Sequence, residues 1–287
     1  MSSLTTARRR LNAILRPLNI RIDTLTAEVA ESARILDAER RGQFDAAQFP
    51  VGDRFRSSMV EEIASDVRSY SETYQSWLDP AANIAGFSII NEYFGSPDAE
   101  VLYAMMRRLK PRRVIEVGSG NSTRVIRLAI TDGGFPSEVV SIDPVPRSDV
   151  GRVADRILRQ RVETLAPADL AGQLGSGDVL FIDSSHEVKT AGDVPFLYLQ
   201  VLPRLRSGVV VHIHDIFLPF EYPREWIIDN GWRMNEQYLV AGIVMHDPAI
   251  EVLWAGHYLQ RTRSELLPQF GRGRASSLWI RCGGARA

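Results

Sequence analysis

The most informative stretch of this chain is VIEVGSGNSTRVIRLAI, residues 114–130. Its first residues are apolar and β-branched, as in a buried strand, and its last residues have the apolar spacing of a helix. Gly118 and Gly120 lie between the two, where glycine lets the backbone turn tightly and approach a ligand that a Cβ would block. The free N–H groups at the start of the helix favour an anionic group. The stretch therefore predicts a strand, a ligand-binding turn and a helix.

Short apolar segments alternate with helical segments on both sides of this turn. The predicted strands cover residues 112–117, 137–143, 160–163, 178–183 and 208–214. The predicted helices cover residues 121–131, 148–158 and 193–205, with further helical segments within 223–245 and two more strands at 250–255 and 277–282. Strands this apolar, separated by helices, indicate a parallel sheet that is covered on both faces. The predicted fold class is therefore α/β, with a doubly wound, mostly parallel sheet.

The start of the chain differs from this alternating pattern. Residues 1–90 show no strand alternation and contain Pro17 and Pro50 as breaks, which predicts helical and irregular structure. We expect these residues to form a helical extension that covers the ligand site or contacts a second copy of the chain. Residues 91–287 are then the main, ligand-binding domain.

Composition excludes several classes of protein. The 287 residues include 34 basic and 35 acidic side chains, a net charge of −1 that gives no reason to expect a nucleic acid or an acidic membrane as partner. The single cysteine, Cys282, excludes an internal disulfide and fits a reducing compartment. No apolar run approaches the roughly 18 residues that a membrane span needs. We therefore expect a cytoplasmic protein.

The charges near the turn indicate which nucleotide would bind. Asp143 ends the second predicted strand, where a carboxylate can accept both hydroxyls of a ribose. The dinucleotide fingerprint requires a third glycine at the position of Thr123. Glu116, two residues before Gly118, would repel a diphosphate but attract an ammonium or sulfonium group. S-adenosylmethionine (SAM) carries both of these cations and a ribose, so the charges favour SAM over NAD.

Two motifs carry a resemblance to a known family. VIEVGSGNST followed by VVSIDP resembles motifs I and II of the class I SAM-dependent methyltransferases. The stretch from FIDSSHEV to EYPREW is similar to a bacterial small-molecule branch related to catechol and macrolide-sugar O-methyltransferases. The resemblance covers about residues 90–282 and implies a Rossmann-like SAM methyltransferase fold. It implies SAM contacts at Glu116, Gly118, Gly120 and Asp143, with backbone contributions from Ser119 and Asn121.

A second group of polar residues follows the next two predicted strands. Asp183 and His186 follow the fourth strand, and His214 and Asp215 follow the fifth. The carboxyl ends of neighbouring parallel strands open onto the same crevice, so we expect these side chains to meet above bound SAM. A hydroxyl acceptor is a weak nucleophile at neutral pH and needs a base or a metal. His186, with an ordinary pKa of about 6.5, is the predicted general base.

The resemblance also implies a metal site. Acids at the ends of these two strands hold a divalent ion in the metal-dependent O-methyltransferases, and Asp183 and Asp215 match them. His214 precedes Asp215 where relatives commonly have a carboxylate, Asn or Asp pair, and it is the predicted nitrogen ligand of the ion. Two carboxylates and one imidazole suit Mn, Fe or Zn at least as well as Mg. A metal-free enzyme in which Asp215 orients His186 is the alternative.

The acceptor side is predicted from the stretch FLPFEYPREW, residues 217–226. Its Phe217, Tyr222 and Trp226 either wall an acceptor pocket or pack the loop onto the domain. We expect a SAM-dependent methyltransferase that acts on a hydroxyl of a small molecule. An N-methyltransferase of the same fold and a non-catalytic SAM-binding protein are the alternatives, and assembly into a homo-oligomer stays open.

Overall fold

The computed structural model describes residues 3–20, 22, 26–146, 149–268 and 273–283 of the chain. Seven strands form one sheet in the order β3-β2-β1-β4-β5-β7-β6. The strands are β1 Arg113–Val117, β2 Glu138–Ile142, β3 Arg156–Leu158, β4 Val179–Ile182, β5 Val210–Ile213, β6 Ile250–Ala255 and β7 Leu278–Cys282. The first five strands are parallel, and β7 runs antiparallel to both of its neighbours.

Ten α-helices lie within the described residues. They are α1 Ser3–Leu15, α2 Thr26–Arg40, α3 Val60–Ser69, α4 Ser71–Gln75, α5 Asp98–Leu109, α6 Asn121–Gly133, α7 Pro167–Gly172, α8 Asp193–Phe196, α9 Glu236–His246 and α10 Gly256–Thr262. Helix α8 continues as a π-helical turn, Leu197–Val201, and a 3-10 turn, Leu202–Arg204. None of the described helices has the length and apolarity that a membrane span requires.

The two faces of the sheet carry separate hydrophobic clusters. Alternating strand residues point to opposite faces, so Val114 packs with α3, α5 and α6, whereas Ile115 packs with α7, α8 and α9. Every residue of β4 and β5 is buried, as expected for parallel strands that are covered on both sides. The prediction of a doubly wound, mostly parallel α/β sheet is confirmed.

The third strand was predicted in the wrong place. The other predicted strands are confirmed to within two residues, but the third one is Arg156–Leu158, not residues 160–163. The helix predicted at 148–158 is also wrong over its described residues: Val150 and Val153 have helical spacing but form a single turn. The Asp155 carboxylate then accepts the Val139 amide at 2.7 Å, and the chain pairs with β2. Pairing with the sheet edge thus overrides a short helical pattern.

The second half of the predicted extension packs into the core of the main domain. Trp77 is buried, and its ring lies 4.7 Å from Tyr74, 5.3 Å from Phe87 and 5.4 Å from Tyr103 of α5, between ring centroids. These side chains belong to the same hydrophobic cluster as α6 and one face of the sheet. The division of the chain at residue 90 remains a prediction. In the structure, residues on both sides of this position pack together in one hydrophobic cluster.

The first half of the extension reaches the segment that follows β5. Glu39 of α2 forms an ion pair with Arg224. The amides of Gln48 and Phe49 donate to the carbonyl oxygen of Pro219 at 2.7 and 3.2 Å. Residues 39–49 therefore lie against the segment that was predicted to wall the acceptor pocket.

Candidate active site

The glycine turn, residues 118–120, lies where the carboxyl ends of three strands meet. Gly118 has a φ of +82°, and its amide donates to the carbonyl oxygen of Ile142 at 3.1 Å. A Cβ on Gly118 would overlap the main-chain oxygen of Asp183. Glycine is therefore required here for its backbone angle and for the close approach of β1 and β4.

Glu116 lies beneath the glycine turn. Its carboxylate is fully buried and accepts hydrogen bonds from the hydroxyls of Ser122 at 2.7 Å and Thr123 at 2.5 Å. The Thr123 hydroxyl oxygen also accepts the Gly120 amide at 3.0 Å, which anchors the start of α6. Burial raises the pKa of Glu116 to about 8, although the two hydroxyls lower it. Glu116 thus shapes the turn, and at neutral pH it carries little of the negative charge expected from its sequence position.

Asp143 fixes the turn from the other side. One carboxylate oxygen accepts the amide and the hydroxyl of Ser119 at 2.9 and 3.1 Å, and the other accepts the Val145 amide at 2.8 Å. A carboxylate offers about four lone-pair sites, so Asp143 can still accept from a bound hydroxyl. The residue that was predicted to bind a ribose therefore also holds the turn.

A cavity of about 1540 Å³ opens above these strand ends. Its volume exceeds the roughly 300–1,000 Å³ of common small-molecule sites, so it has room for a cofactor and an acceptor together. Of the predicted SAM contacts, Gly118, Ser119 and Asp143 line this cavity. The other three, Glu116, Gly120 and Asn121, are not among its described lining residues. Residues 161–163, which follow β3, line the cavity as well and were not predicted as site residues.

The two glycines of the turn provide a matched pair of substitutions. Gly118→Ala should lower the free energy of unfolding by at least about 1–2 kcal/mol, because a side chain is strained at positive φ, and the overlap with Asp183 adds to this. A Cβ on Gly120 meets no other atom within 4 Å, so Gly120→Ala should cost less stability. Thermal unfolding measures both variants. Equal melting temperatures for the two would contradict this account of the turn.

The acid–histidine cluster, Asp183, His186, His214 and Asp215, lies beside the turn in the same cavity. His186 Nε2 is 3.1 Å from Asp183 Oδ1 and 3.6 Å from Asp215 Oδ2. His214 Nδ1 is 3.6 Å from Asp183 Oδ1 and 3.5 Å from Asp215 Oδ1. The structure therefore brings together all four residues that were predicted to meet.

Two members of the cluster have unusual backbone angles. The φ of His186 is 58° and that of Asp215 is 56°, in the left-handed region that residues with a side chain rarely adopt. The His186 carbonyl oxygen accepts the amides of Asn235 and Glu236 at 3.0 and 3.2 Å, which holds this conformation. Such strain costs on the order of 1–3 kcal/mol and concentrates at functional sites.

Each histidine contacts a further, buried acid through its other ring nitrogen. His186 Nδ1 is 2.8 Å from Glu236 Oε2, and His214 Nε2 is 3.6 Å from Asp98 Oδ2. Neither acid was predicted from the sequence to contact the site. Asp98 and Glu236 each lie in the first turn of a helix. Acidic residues are common there because they interact favourably with the helix dipole. No sequence signal separates such an acid from one that contacts the site.

The acids control the protonation of the cluster. Burial lowers the pKa of His186, but Asp183 and Glu236 raise it more, to well above its ordinary value. Burial likewise lowers the pKa of His214, and Asp215 and Asp183 raise it well above the ordinary value. Burial raises the pKa of Asp183, but the two imidazoles lower it to below its ordinary range. The neighbouring acids therefore favour the protonated, positively charged form of both imidazoles.

The same geometry fits a metal ion. Asp183, His186 and Asp215 each offer one ligand atom, and these atoms lie within 4.8 Å of one another. The nitrogen ligand predicted from the sequence, His214, is not in this group of three. Both imidazoles approach the two carboxylates, but the ring of His214 is more buried and lies tilted by 41° against Phe94, with ring centroids 4.9 Å apart.

The acceptor-side segment, residues 217–226, contributes part of the predicted wall. Phe217 and Trp226 line the cavity with ring centroids 5.2 Å apart, and Trp232 joins them 5.0 Å from Trp226. Tyr222 is not among the described lining residues: it is buried, and its hydroxyl accepts the Gln237 amide at 2.9 Å. Tyr222 thus has the packing role that was the alternative for this stretch.

Comparison with known families matches residues 115–216 to a family described as a methyltransferase domain. The matched segment is less than half of the chain, but it contains the glycine turn, Asp143 and the acid–histidine cluster. This match supports a SAM-dependent methyltransferase. No curated protein sequence matches the chain significantly.

Several solved structures resemble this chain. A Podospora anserina methyltransferase bound to SAH is 17% identical, with 92% of this chain and 99% of that chain covered and a TM-score of 0.40. An O-methyltransferase from Bacillus cereus in complex with SAH is 14% identical, covering 76% and 90%, with a TM-score of 0.40. Cofactor-bound Rv0187 from MTB is 16% identical, covering 78% and 90%, with a TM-score of 0.41. Likenesses this weak do not identify a reaction.

Proposed function

We propose that this protein transfers the methyl group of SAM to a hydroxyl of a small molecule, with a divalent cation held by Asp183, His186 and Asp215. One observation carries the proposal: these three residues converge in the same cavity as the glycine turn and Asp143. Cofactor and acceptor would therefore lie side by side, which methyl transfer requires because acceptor, methyl carbon and sulfur must be in line.

The charges of the site support a cation. Four carboxylates surround two imidazoles within contact distances of 2.8 to 3.6 Å, namely Asp98, Asp183, Asp215 and Glu236. Even with both imidazoles protonated, the acids outnumber them, and buried charge without a partner is costly. Two carboxylates and one imidazole suit Mn, Fe or Zn at least as well as Mg.

The roles of the chain's own residues follow from their positions. Asp183 and Asp215 would hold the cation through their carboxylate oxygens, and His186 would bind it through Nε2, which points between them. When bound, the cation would lower the pKa of an acceptor hydroxyl and so favour its ionisation. Asp183 and Glu236 raise the pKa of His186 well above its ordinary value, which disfavours a metal-free general base. A cation bound at Nε2 would instead replace the proton at that nitrogen.

The aromatic side chains of the acceptor-side segment support a small acceptor with an apolar face. Phe217 and Trp226 line the same cavity as the cluster, where flat rings can cover an acceptor and exclude water. We place the acceptor between these rings and the cation. The residues 39–49 that contact this segment would hold it in position.

Asp143→Ala tests the SAM site. Loss of the carboxylate removes an acceptor for a ribose hydroxyl and also frees Ser119, so SAM binding should weaken by about 1.5–3 kcal/mol, the range for hydrogen bonds to charged groups. Isothermal titration calorimetry with SAM measures the change. Asp169→Ala, which removes an exposed acid of α7 away from the cavity, is the matched control.

Two results would contradict the assignment of the cofactor. Unchanged SAM affinity in Asp143→Ala would show that this residue does not bind the ribose. NAD binding as strong as SAM binding in the wild-type protein would contradict the choice of nucleotide. Transfer to amines but not to hydroxyls, with full activity in EDTA, would instead support an N-methyltransferase.

A further inference from the structure

Glu236 is a buried acid that the proposed reaction does not use directly. It lies in the first turn of α9 and is fully buried. Its Oε2 is 2.8 Å from His186 Nδ1, and its Oε1 accepts the hydroxyl of Tyr198 at 2.6 Å. Tyr198 is also buried, in the π-helical turn that continues α8. A chain of hydrogen bonds therefore runs from the π-helical turn through Glu236 to the cluster.

The main chain reinforces this connection. The carbonyl oxygen of His186 accepts the amides of Asn235 and Glu236, and the Val188 amide donates to the Asn235 side chain at 2.5 Å. The loop that carries His186 is thus attached to the start of α9 by both backbone and side chains. The left-handed backbone of His186, with a φ of 58°, directs its ring between Glu236 on one side and Asp183 on the other.

We propose that Glu236 is a positioning residue for His186 and that Tyr198 holds Glu236 in place. Glu236 accepts the Nδ1 proton of the imidazole, which fixes the tautomer and leaves the Nε2 lone pair directed between Asp183 and Asp215. This inference rests on the proposed cation site. Carboxylates that support a histidine ligand in this way typically contribute about 10–100-fold to metal affinity.

The test measures cation binding separately from activity. The full-length protein, freed of metal with a chelator, is titrated with Mn²⁺ by calorimetry, and SAM is titrated in a separate experiment. Glu236→Gln, which keeps the shape but not the charge, should weaken Mn²⁺ binding about 10–100-fold with SAM affinity unchanged. Tyr198→Phe should act in the same direction but more weakly. The visible spectrum of the Co²⁺-loaded protein should also change in Glu236→Gln, because its nitrogen ligand is affected.

Tyr222→Phe is the matched control. Tyr222 is another buried tyrosine whose hydroxyl bonds the start of α9, at the amide of Gln237, but it has no bond to Glu236 or His186 among the described contacts. This variant should bind Mn²⁺ as the wild type does. Wild-type Mn²⁺ affinity in Glu236→Gln would overturn the positioning role alone. Parallel loss of Mn²⁺ and SAM binding with a lower melting temperature would assign Glu236 a structural role. A wild-type protein that binds no divalent cation would overturn the cation site itself.

Discussion

Asp183→Asn should reduce turnover by about 10²–10⁴-fold and make the remaining activity insensitive to EDTA. A neutral amide is a poorer ligand for a hard cation than a carboxylate, and a bound cation contributes several kcal/mol to catalysis, at about 1.4 kcal/mol for each tenfold change in rate. Treating the wild-type protein with EDTA should give the same loss, and one divalent ion should restore the activity. The assay follows the labelled methyl group of SAM into a panel of hydroxylated small molecules.

Glu187→Gln is the control for this experiment. Glu187 also lines the cavity and its substitution removes the same charge, but its carboxylate pairs with Lys189 and lies outside the cluster. It should keep most of the activity. Full turnover in Asp183→Asn would remove the cluster from the chemistry. Turnover that resists EDTA but disappears in His186→Ala would leave His186 as a metal-free base.

Trp77→Ala should lower the free energy of unfolding by about 3–5 kcal/mol, the usual cost of removing a buried tryptophan side chain. Trp77 is packed among Tyr74, Phe87 and Tyr103, so its loss leaves a cavity at the contact between the predicted extension and α5. The melting temperature should fall by roughly 2–4 °C for each kcal/mol. Trp232→Ala, at a tryptophan that is 48% exposed, is the control and should change it little.

The first part of the extension should behave differently. Deleting residues 1–40 removes Glu39, one of the two acids paired with Arg224, but leaves Trp77 and its neighbours intact. We expect a nearly unchanged melting temperature and SAM affinity, with a higher KM for the acceptor or a changed sedimentation profile. If the truncated protein keeps its acceptor KM and its assembly state, residues 1–40 neither support the acceptor-side segment nor form an oligomer contact.

For the Trp77→Ala variant described above, a small effect on the melting temperature would place residues 60–90 outside the folded core.

Residues that follow buried strands were the ones that sequence reasoning located best. Asp183, His186, His214 and Asp215 end two neighbouring parallel strands, and sheet geometry alone brings such residues together. The same reasoning could not find Glu236, which is 50 positions from His186 in the sequence and reaches it only because α9 starts beside the cluster. It also misassigned β3, a short strand that pairs with β2 at the edge of the sheet among the described strands. Local patterns predict elements, whereas contacts between distant elements depend on how those elements pack.

The close contact between Gly118 and the main-chain oxygen of Asp183 links the two halves of the site. The backbone that would face the cofactor and the backbone that would present a cation ligand therefore pack closely together. If SAM and a cation bind as proposed, any coupling between them would be reciprocal: whatever factor SAM contributes to the affinity of the cation, the cation would contribute to the affinity of SAM. Gly118 would then be the point at which the two proposed ligand positions meet.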